Sequence, residues 1–213
     1  HHKQVTDAVH AEDGKICMQI LHAGRYAYTK ALVAPSALQA PINPNMPKEL
    51  TDEEVEQQIN DYVRSAELAK LAGYDGVELM GSEGYLINQF IAQQTNQRTD
   101  RWGGSFENRI RFPLEIIRRV RESIGDKFIL IYRLSMLDLV EGGSNWEEVV
   151  ALAKEVEKLG INIINTGIGW HEARVPTIAS GVPRATFSGV TAKLRKEVSV
   201  PVVACNRVNT PEV

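Results

Sequence analysis

Tyr85 is the side chain in this sequence most readily put to chemical use. It lies in the stretch Met80–Arg109, MGSEGYLINQFIAQQTNQRTDRWGGSFENR, among acidic and amide neighbours. Connections between elements usually run about two to six residues, and long structured ones tend to be functional. A phenol has a pKa of about 10, so it is protonated at neutral pH and can act as a general acid. A packing aromatic is the plainer alternative. His171 stands in GIGWHEARVP, a glycine-rich exit from a strand. An imidazole there can stabilise a developing enolate or assist Tyr85, although a structural, hydrogen-bonded histidine competes with that reading. Arg133 closes the apolar run FILIYRL. A buried guanidinium without a partner is very unfavourable, so it must meet a ligand or a neighbouring carboxylate such as Asp138; ligand binding is the preferred reading. Gln19 lies inside KICMQIL, where its amide can pair with a heterocycle edge or be satisfied within the core. His22, in LHAGRY, reads as structural. Histidines and carboxylates nowhere fall at metal-ligand spacing, so no protein-bound metal is expected.

The elements that must position these residues alternate along the chain. Lys15–Leu21 reads as a buried strand and Val33–Met46 as a proline-rich loop without periodicity. Thr51 and Glu54 form a capping-box pattern at the start of a helix spanning Glu53–Ala72. Val55, Ile59, Tyr62, Val63, Ala66 and Ala69 share one face of that helix, and Gly73 ends it. Strand Gly76–Leu79 leads into the long connection. A helix follows over Ser105–Ser123, where Pro113 predicts a kink or a short preceding helix. Then come strand Phe128–Leu134, helix Trp146–Leu159 with Asn145 at its cap, and strand Ile161–Thr166. A helix over Thr186–Val198, strand Val200–Ala204 and a helix starting at Pro211 complete the pattern.

This alternation predicts a parallel sheet with helical crossovers. An open doubly wound sheet would carry a glycine-rich phosphate loop after its first strand, and no G-x-G-x-x-G stands there. The better fit is α/β, a (β/α)8 TIM barrel. Such a barrel takes about 250 residues, so the 213 here hold an incomplete one, with about five of its eight strands. Barrel chemistry sits at the carboxyl ends of the strands, which gathers Gln19, Tyr85, Arg133, His171 and Arg207. Arg207 follows a late strand, where barrels often hold a phosphate; a solvated loop arginine is equally compatible.

Composition narrows the partners. Twenty-four Lys and Arg face 27 Asp and Glu, a formal net charge of −3. That balance makes no electrostatic case for nucleic acid or a membrane surface. Apolar runs fall short of the roughly 18–20 residues of a membrane span, and no signal-peptide pattern is visible. Cys17 and Cys205 lie in apolar runs and read as buried, reduced thiols. A cytoplasmic setting is expected. With no starting Met, the chain reads as a piece of a longer protein.

The stretch GYLINQF…TNQRTDRWGGSFENRIRF closely resembles the signature of the old yellow enzyme family, FMN-dependent (β/α)8 barrels that reduce activated C=C bonds. The resemblance covers essentially the whole chain. IYRLSMLDLVEGG and NTGIGWHEARVPTIA, with GYDGVELMGSEGYLINQF, resemble the NADPH-dependent 2,4-dienoyl-CoA reductases of bacteria. Typical ene-reductases carry a His-x-x-Asn or His-x-x-His pair just before the tyrosine; here Met80 and Glu83 stand instead. The resemblance implies Tyr85 as proton donor with His171 beside it, and Gln19, Arg133 and Arg207 as FMN contacts. It places Thr95 and the run Glu172, Ala173, Arg174 and Val175 near an acyl-CoA substrate. It implies hydride transfer from FMN N5 to a conjugated 2,4-dienoyl-CoA in unsaturated fatty acid β-oxidation. It further implies a parent protein with a 4Fe-4S segment and FAD- and NADPH-binding domains absent from residues 1–213. The alternatives are another ene-reductase or FMN dehydrogenase of this family, or a fragment inactive by itself.

Overall fold

The computed structural model describes residues 1–213. In chain order the elements are α1 (His2–Ala11), β1 (Cys17–Ile20), β2 (Val33–Ala34), β3 (Lys48–Glu49), α2 (Asp52–Leu71), β4 (Gly76–Gly81) and α3 (Leu86–Ile91). They continue with α4 (Phe106–Arg109), α5 (Arg111–Ile124), β5 (Ile129–Leu137), α6 (Trp146–Lys158), β6 (Ile163–Ile168), α7 (Ser188–Leu194) and β7 (Val202–Val203). The main sheet runs β1-β4-β5-β6-β7, parallel throughout, and β2 pairs with β3 in a separate small ladder. The strands follow one another in sequence order. A doubly wound sheet would reverse that order partway; a barrel never does. The helices repeat the progression, α2 packing on α5 and α5 on α6. The fold is therefore α/β, a five-stranded arc of the barrel architecture.

Local chemistry sets the element boundaries. Thr51 Oγ1 accepts from Glu54 N while the Glu54 carboxylate accepts from Thr51 N, closing the capping box of α2. Asn145 and Glu148 repeat the device at α6. Pro113 does mark a short preceding helix: α4, capped by Ser105, breaks at Ile110 before α5 begins. Four expectations are corrected. The long connection after β4 is partly helical, because α3 is buried on all sides and shows no polar face in sequence. The loop expected over 33–46 opens with β2. The helix expected over 186–198 is shorter, Ser188–Leu194, and Pro211 begins a turn. Helix α1 gives little signal, its one buried residue being Thr6, whose hydroxyl donates to Ala72 O (2.7 Å).

Each strand has two faces. In β5, Leu130, Tyr132 and Leu134 join the core under the helices, with Ile59, Phe112, Ile116 and Ile117. Arg133 stands on the opposite face, in register with Met80 on one side and Asn165 on the other. That inner face is polar. Glu78 Oε1 accepts from Gln19 Nε2 (2.6 Å) and Glu78 Oε2 from Asn165 Nδ2 (2.9 Å), tying β1, β4 and β6 together.

Candidate active site

The site begins where β4 ends. Glu83 (φ 63°) and Gly84 (φ 83°) turn the chain through the left-handed region. Glycine is required at 84, since a Cβ there would lie 2.6 Å from Tyr26 Oη and 2.8 Å from the Trp170 ring. Asn88 Oδ1 accepts from Gly84 N (3.0 Å), and Tyr85 becomes the N-cap of α3. The turn thus aims the phenol back across the carboxyl ends of the strands.

His171 arrives from β6. Gly169 N donates to Leu137 O (2.7 Å), Trp170 N to Asp138 O (2.9 Å) and His171 N to Glu83 O (3.3 Å). Tyr85 Oη and His171 Nε2 stand 2.7 Å apart, with ring centroids at 5.0 Å. The two residues, 86 positions apart in sequence, meet as expected. Burial, and next the Glu83 carboxylate, raise the Tyr85 phenol above its ordinary pKa. The phenol is accordingly protonated at neutral pH.

Arg133 does reach the mouth of the arc, but its partner is Glu83, not Asp138: Nη2 donates to Glu83 Oε1 (2.6 Å). Its buried Nε has no protein partner, and neither has Asn165 Oδ1 beside it. Asp138 serves elsewhere. It is buried, and Oδ1 accepts from Ser135 Oγ (2.6 Å), Trp170 Nε1 (2.7 Å) and Asn88 Nδ2 (3.3 Å), while Oδ2 accepts from Ser144 N (2.7 Å). Glu83, Arg133, Trp170, His171, Ile178 and Cys205 line a cleft of about 390 Å³.

The remaining candidates divide. Gln19 is exposed on the inner face, one amide hydrogen held by Glu78. Arg207 (φ 65°) donates through Nε to Val182 O (2.9 Å) and through Nη2 to Ser180 O (3.3 Å), bracing the loop after β6. Ala173 and Val175 line the cleft, and Arg174 is exposed at its rim. Thr95 is not brought to the cleft: it is 1% exposed and its hydroxyl donates to Gln89 O (2.7 Å). Glu172 is likewise not presented, because its buried carboxylate accepts from Arg25 Nη2 and Tyr26 Oη. His22 is structural as expected, its Nδ1 accepting from Gly24 N (3.0 Å). The cysteines are free but only partly buried. Glu83 and Arg25 are legible in sequence as strand-end residues and Asp138 as a candidate partner for Arg133, but their actual partners, and the part of Tyr26, are remote in sequence and set by the fold.

The cleft lies at the carboxyl ends of parallel strands, the place where barrel enzymes carry their chemistry. The chain belongs to the NADH:flavin oxidoreductase / NADH oxidase family, whose model matches residues 1–213. It is 40% identical over 215 residues to a metal reductase of Desulforamulus reducens, covering 99% of this chain and 32% of that protein. It is 39% identical over 218 residues to an NADH oxidase of Thermoanaerobacter brockii, covering 98% and 33%. Among solved structures it matches 2-naphthoyl-CoA reductase in complex with 2-naphthoyl-CoA at TM-score 0.94 and 34% identity, over 99% of this chain and 35% of that one. It matches morphinone reductase at TM-score 0.81 and 29% identity, over 98% and 60%. The chain spans about a third of the length of the curated relatives it matches. FMN is the flavin of this family, and an unpaired guanidinium nitrogen on Arg133 with an unpaired amide oxygen on Asn165, its neighbour in register, offers a donor and an acceptor that suit a polar heterocycle. No helix is long and apolar enough to cross a membrane.

Proposed function

We propose that this chain forms the FMN-binding barrel portion of a reductase acting on the conjugated C=C of a 2,4-dienoyl-CoA. The Tyr85–His171 contact of 2.7 Å carries the reading. Gln19 and Arg133 are the residues to hold the flavin ring and Arg207 to lie near its phosphate. FMN, when bound and reduced, supplies the hydride.

The chain's own groups supply the proton. Burial and Glu83 keep Tyr85 protonated, so its Oη can deliver a proton to the carbanionic carbon of a dienolate. His171 Nε2, at the other end of the same contact, accepts from the phenol when neutral. When protonated it donates to the phenolate and restores the phenol. A substrate-carbonyl grip of the ene-reductase kind is absent before Tyr85, since Met80 is buried and Glu83 is paired with Arg133. Ala173, Arg174 and Val175, at the cleft wall and rim, are the residues to meet the acyl-CoA. The solved match named as a complex with an aryl-CoA thioester supports this substrate class. The reading includes NADPH as reductant, with FAD and a 4Fe-4S cluster relaying electrons within the wider protein.

The test is turnover of a 2,4-dienoyl-CoA against a simple cyclic enone by the flavin-loaded protein. Preference for the thioester and loss of its turnover in Tyr85→Phe are expected, by about 100-fold or more. Preference for the enone would establish the broader ene-reductase reading instead. Undiminished dienoyl-CoA turnover by Tyr85→Phe would remove the assigned proton donor.

A further inference from the structure

His171 is 46% exposed in its side chain, yet it has to hold a fixed position against Tyr85. Nothing packs it there from the solvent side. Glu83 restrains it directly, its carbonyl accepting from His171 N (3.3 Å) and its Oε2 standing 3.8 Å from His171 Nε2, and a further restraint comes from the next residue. Glu172 turns away from the cleft into a buried pocket, where its side chain is 7% exposed and that of Arg25 is 6% exposed. Arg25 Nη2 donates to Glu172 Oε1 (2.7 Å) and Oε2 (2.6 Å), and Tyr26 Oη donates to Oε2 (2.7 Å). Asn43 and Gln89 fix the Arg25–Tyr26 turn in its place: Asn43 Nδ2 donates to Arg25 O (3.2 Å) and Gln89 Oε1 accepts from Arg25 N (3.1 Å). The ring of Tyr26 meets both members of the pair edge-on, at 6.1 Å from Tyr85 and 6.0 Å from His171. One phenol therefore touches the carboxylate behind the histidine and both reacting rings in front of it.

We infer that Glu172, clamped by Arg25 and Tyr26, is a positioning residue that holds His171 against Tyr85. This rests on the proposed role of that pair. The carboxylate acts through the backbone between residues 171 and 172, and makes no contact with the proton-transfer atoms. Charge-assisted bonds of this kind are the strong ones, and the pair is inside the protein, where salt screens it little. A small misplacement of a positioned group can lower turnover about 100-fold. The inference also gives a reason for glycine at position 84: any side chain there would displace Tyr26 and with it the clamp.

The test compares the flavin-loaded protein with Glu172→Gln, Tyr26→Phe and Tyr85→Phe variants. Two readouts are taken: dienoyl-CoA turnover, and the imidazole nitrogen resonances of His171 in 15N-histidine-labelled protein. Glu172→Gln is expected to lower kcat about tenfold to 100-fold, with KM changing much less. The His171 Nε2 resonance should move toward the position it takes in Tyr85→Phe, where the hydrogen bond is gone. Tyr26→Phe keeps the ion pair and the ring and should show the same changes in smaller measure. A folded Glu172→Gln variant with the parent kcat and the parent His171 resonance overturns the inference. If Glu172→Gln does not fold, Glu172→Asp carries the test, because it keeps the charge and withdraws it from Arg25 by one methylene. An unchanged His171 resonance there overturns the inference equally. The two failures are separable: full turnover by Tyr85→Phe defeats the proton-donor reading, whereas the resonances report the clamp whatever the substrate.

Discussion

Replacing Asp138 by Asn removes one charge and almost no volume, which makes it a sharp probe of how the His171 segment is held. Asp138 is 4% exposed and joins four parts of the fold: Ser135 in β5, Asn88 in α3, Ser144 before α6 and Trp170 after β6. An asparagine can accept on one side only. Its best orientation keeps the carbonyl toward Ser135, Trp170 and Asn88 and turns the amide nitrogen toward Ser144 N, donor against donor. A buried donor without its acceptor costs about 1–3 kcal/mol. Three charge-assisted bonds become neutral ones, each weaker by about 1 kcal/mol. These losses share one side chain and do not add fully, so about 3 kcal/mol is expected. For a domain of this size that corresponds to a Tm lower by about 6–12 °C. Urea unfolding followed by tryptophan fluorescence gives the free energy directly, and Trp170 lies on the affected bond. A loss below about 1 kcal/mol would refute the account of Asp138 as the junction of these segments.

Other substitutions probe other layers. Phe112 is fully buried, stacked on Phe90 at 4.1 Å and edge-on to Tyr62 and Trp102; Phe112→Ala should cost about 3–5 kcal/mol in chemical denaturation. Gly84→Ala forces a Cβ onto Tyr26 and Trp170 at positive φ, and should lower both Tm and turnover. Asp75 is held down to about 2, first by its hydrogen bond with His10 and next by Ile16 N. Its folded pKa lies below the unfolded value of about 3.9, so its contribution is complete above about pH 4 and is lost as pH falls toward 2. Acid titration of stability should show that loss in the parent and not in Asp75→Asn.

What sequence makes legible here is what neighbours in sequence decide. The capping box at Thr51, the cap at Asn145 and the break before Pro113 each depend on residues three or four positions apart, and each is found where expected; that Glu148 completes a second box at Asn145 is seen only in the structure. The parallel sheet follows from alternation, and its unreversed order from the missing glycine-rich loop of the doubly wound alternative. Helix α3 escapes because a helix buried on every side shows no polar stripe to mark its period. The site divides on the same principle. Tyr85 and His171 are readable as types at strand ends, and their meeting accords with the resemblance. The ion pair of Arg133 with Glu83 spans 50 positions and that of Arg25 with Glu172 spans 147; distances of that kind are set by the fold. Glu172 is the instructive case, since its motif position points to the cleft while a buried guanidinium draws its carboxylate the other way.

The uninterrupted strand order also governs how the sheet breathes. Strand β5 is paired on both sides, with β4 over Gly76–Gly81 and with β6 over Ile163–Ile168, whereas β7 is held by only two residues and β1 by four. Backbone amides exchange with solvent through local opening, and the best-protected ones lie in the most mutually supported segment. Deuterium uptake should therefore be slow at the amides of Leu130–Leu134, which are paired on both sides. Tyr85 follows β4 and His171 follows β6, the two strands that flank that slow centre. The Tyr85–His171 contact is thus carried by the two strands that flank the most mutually supported one.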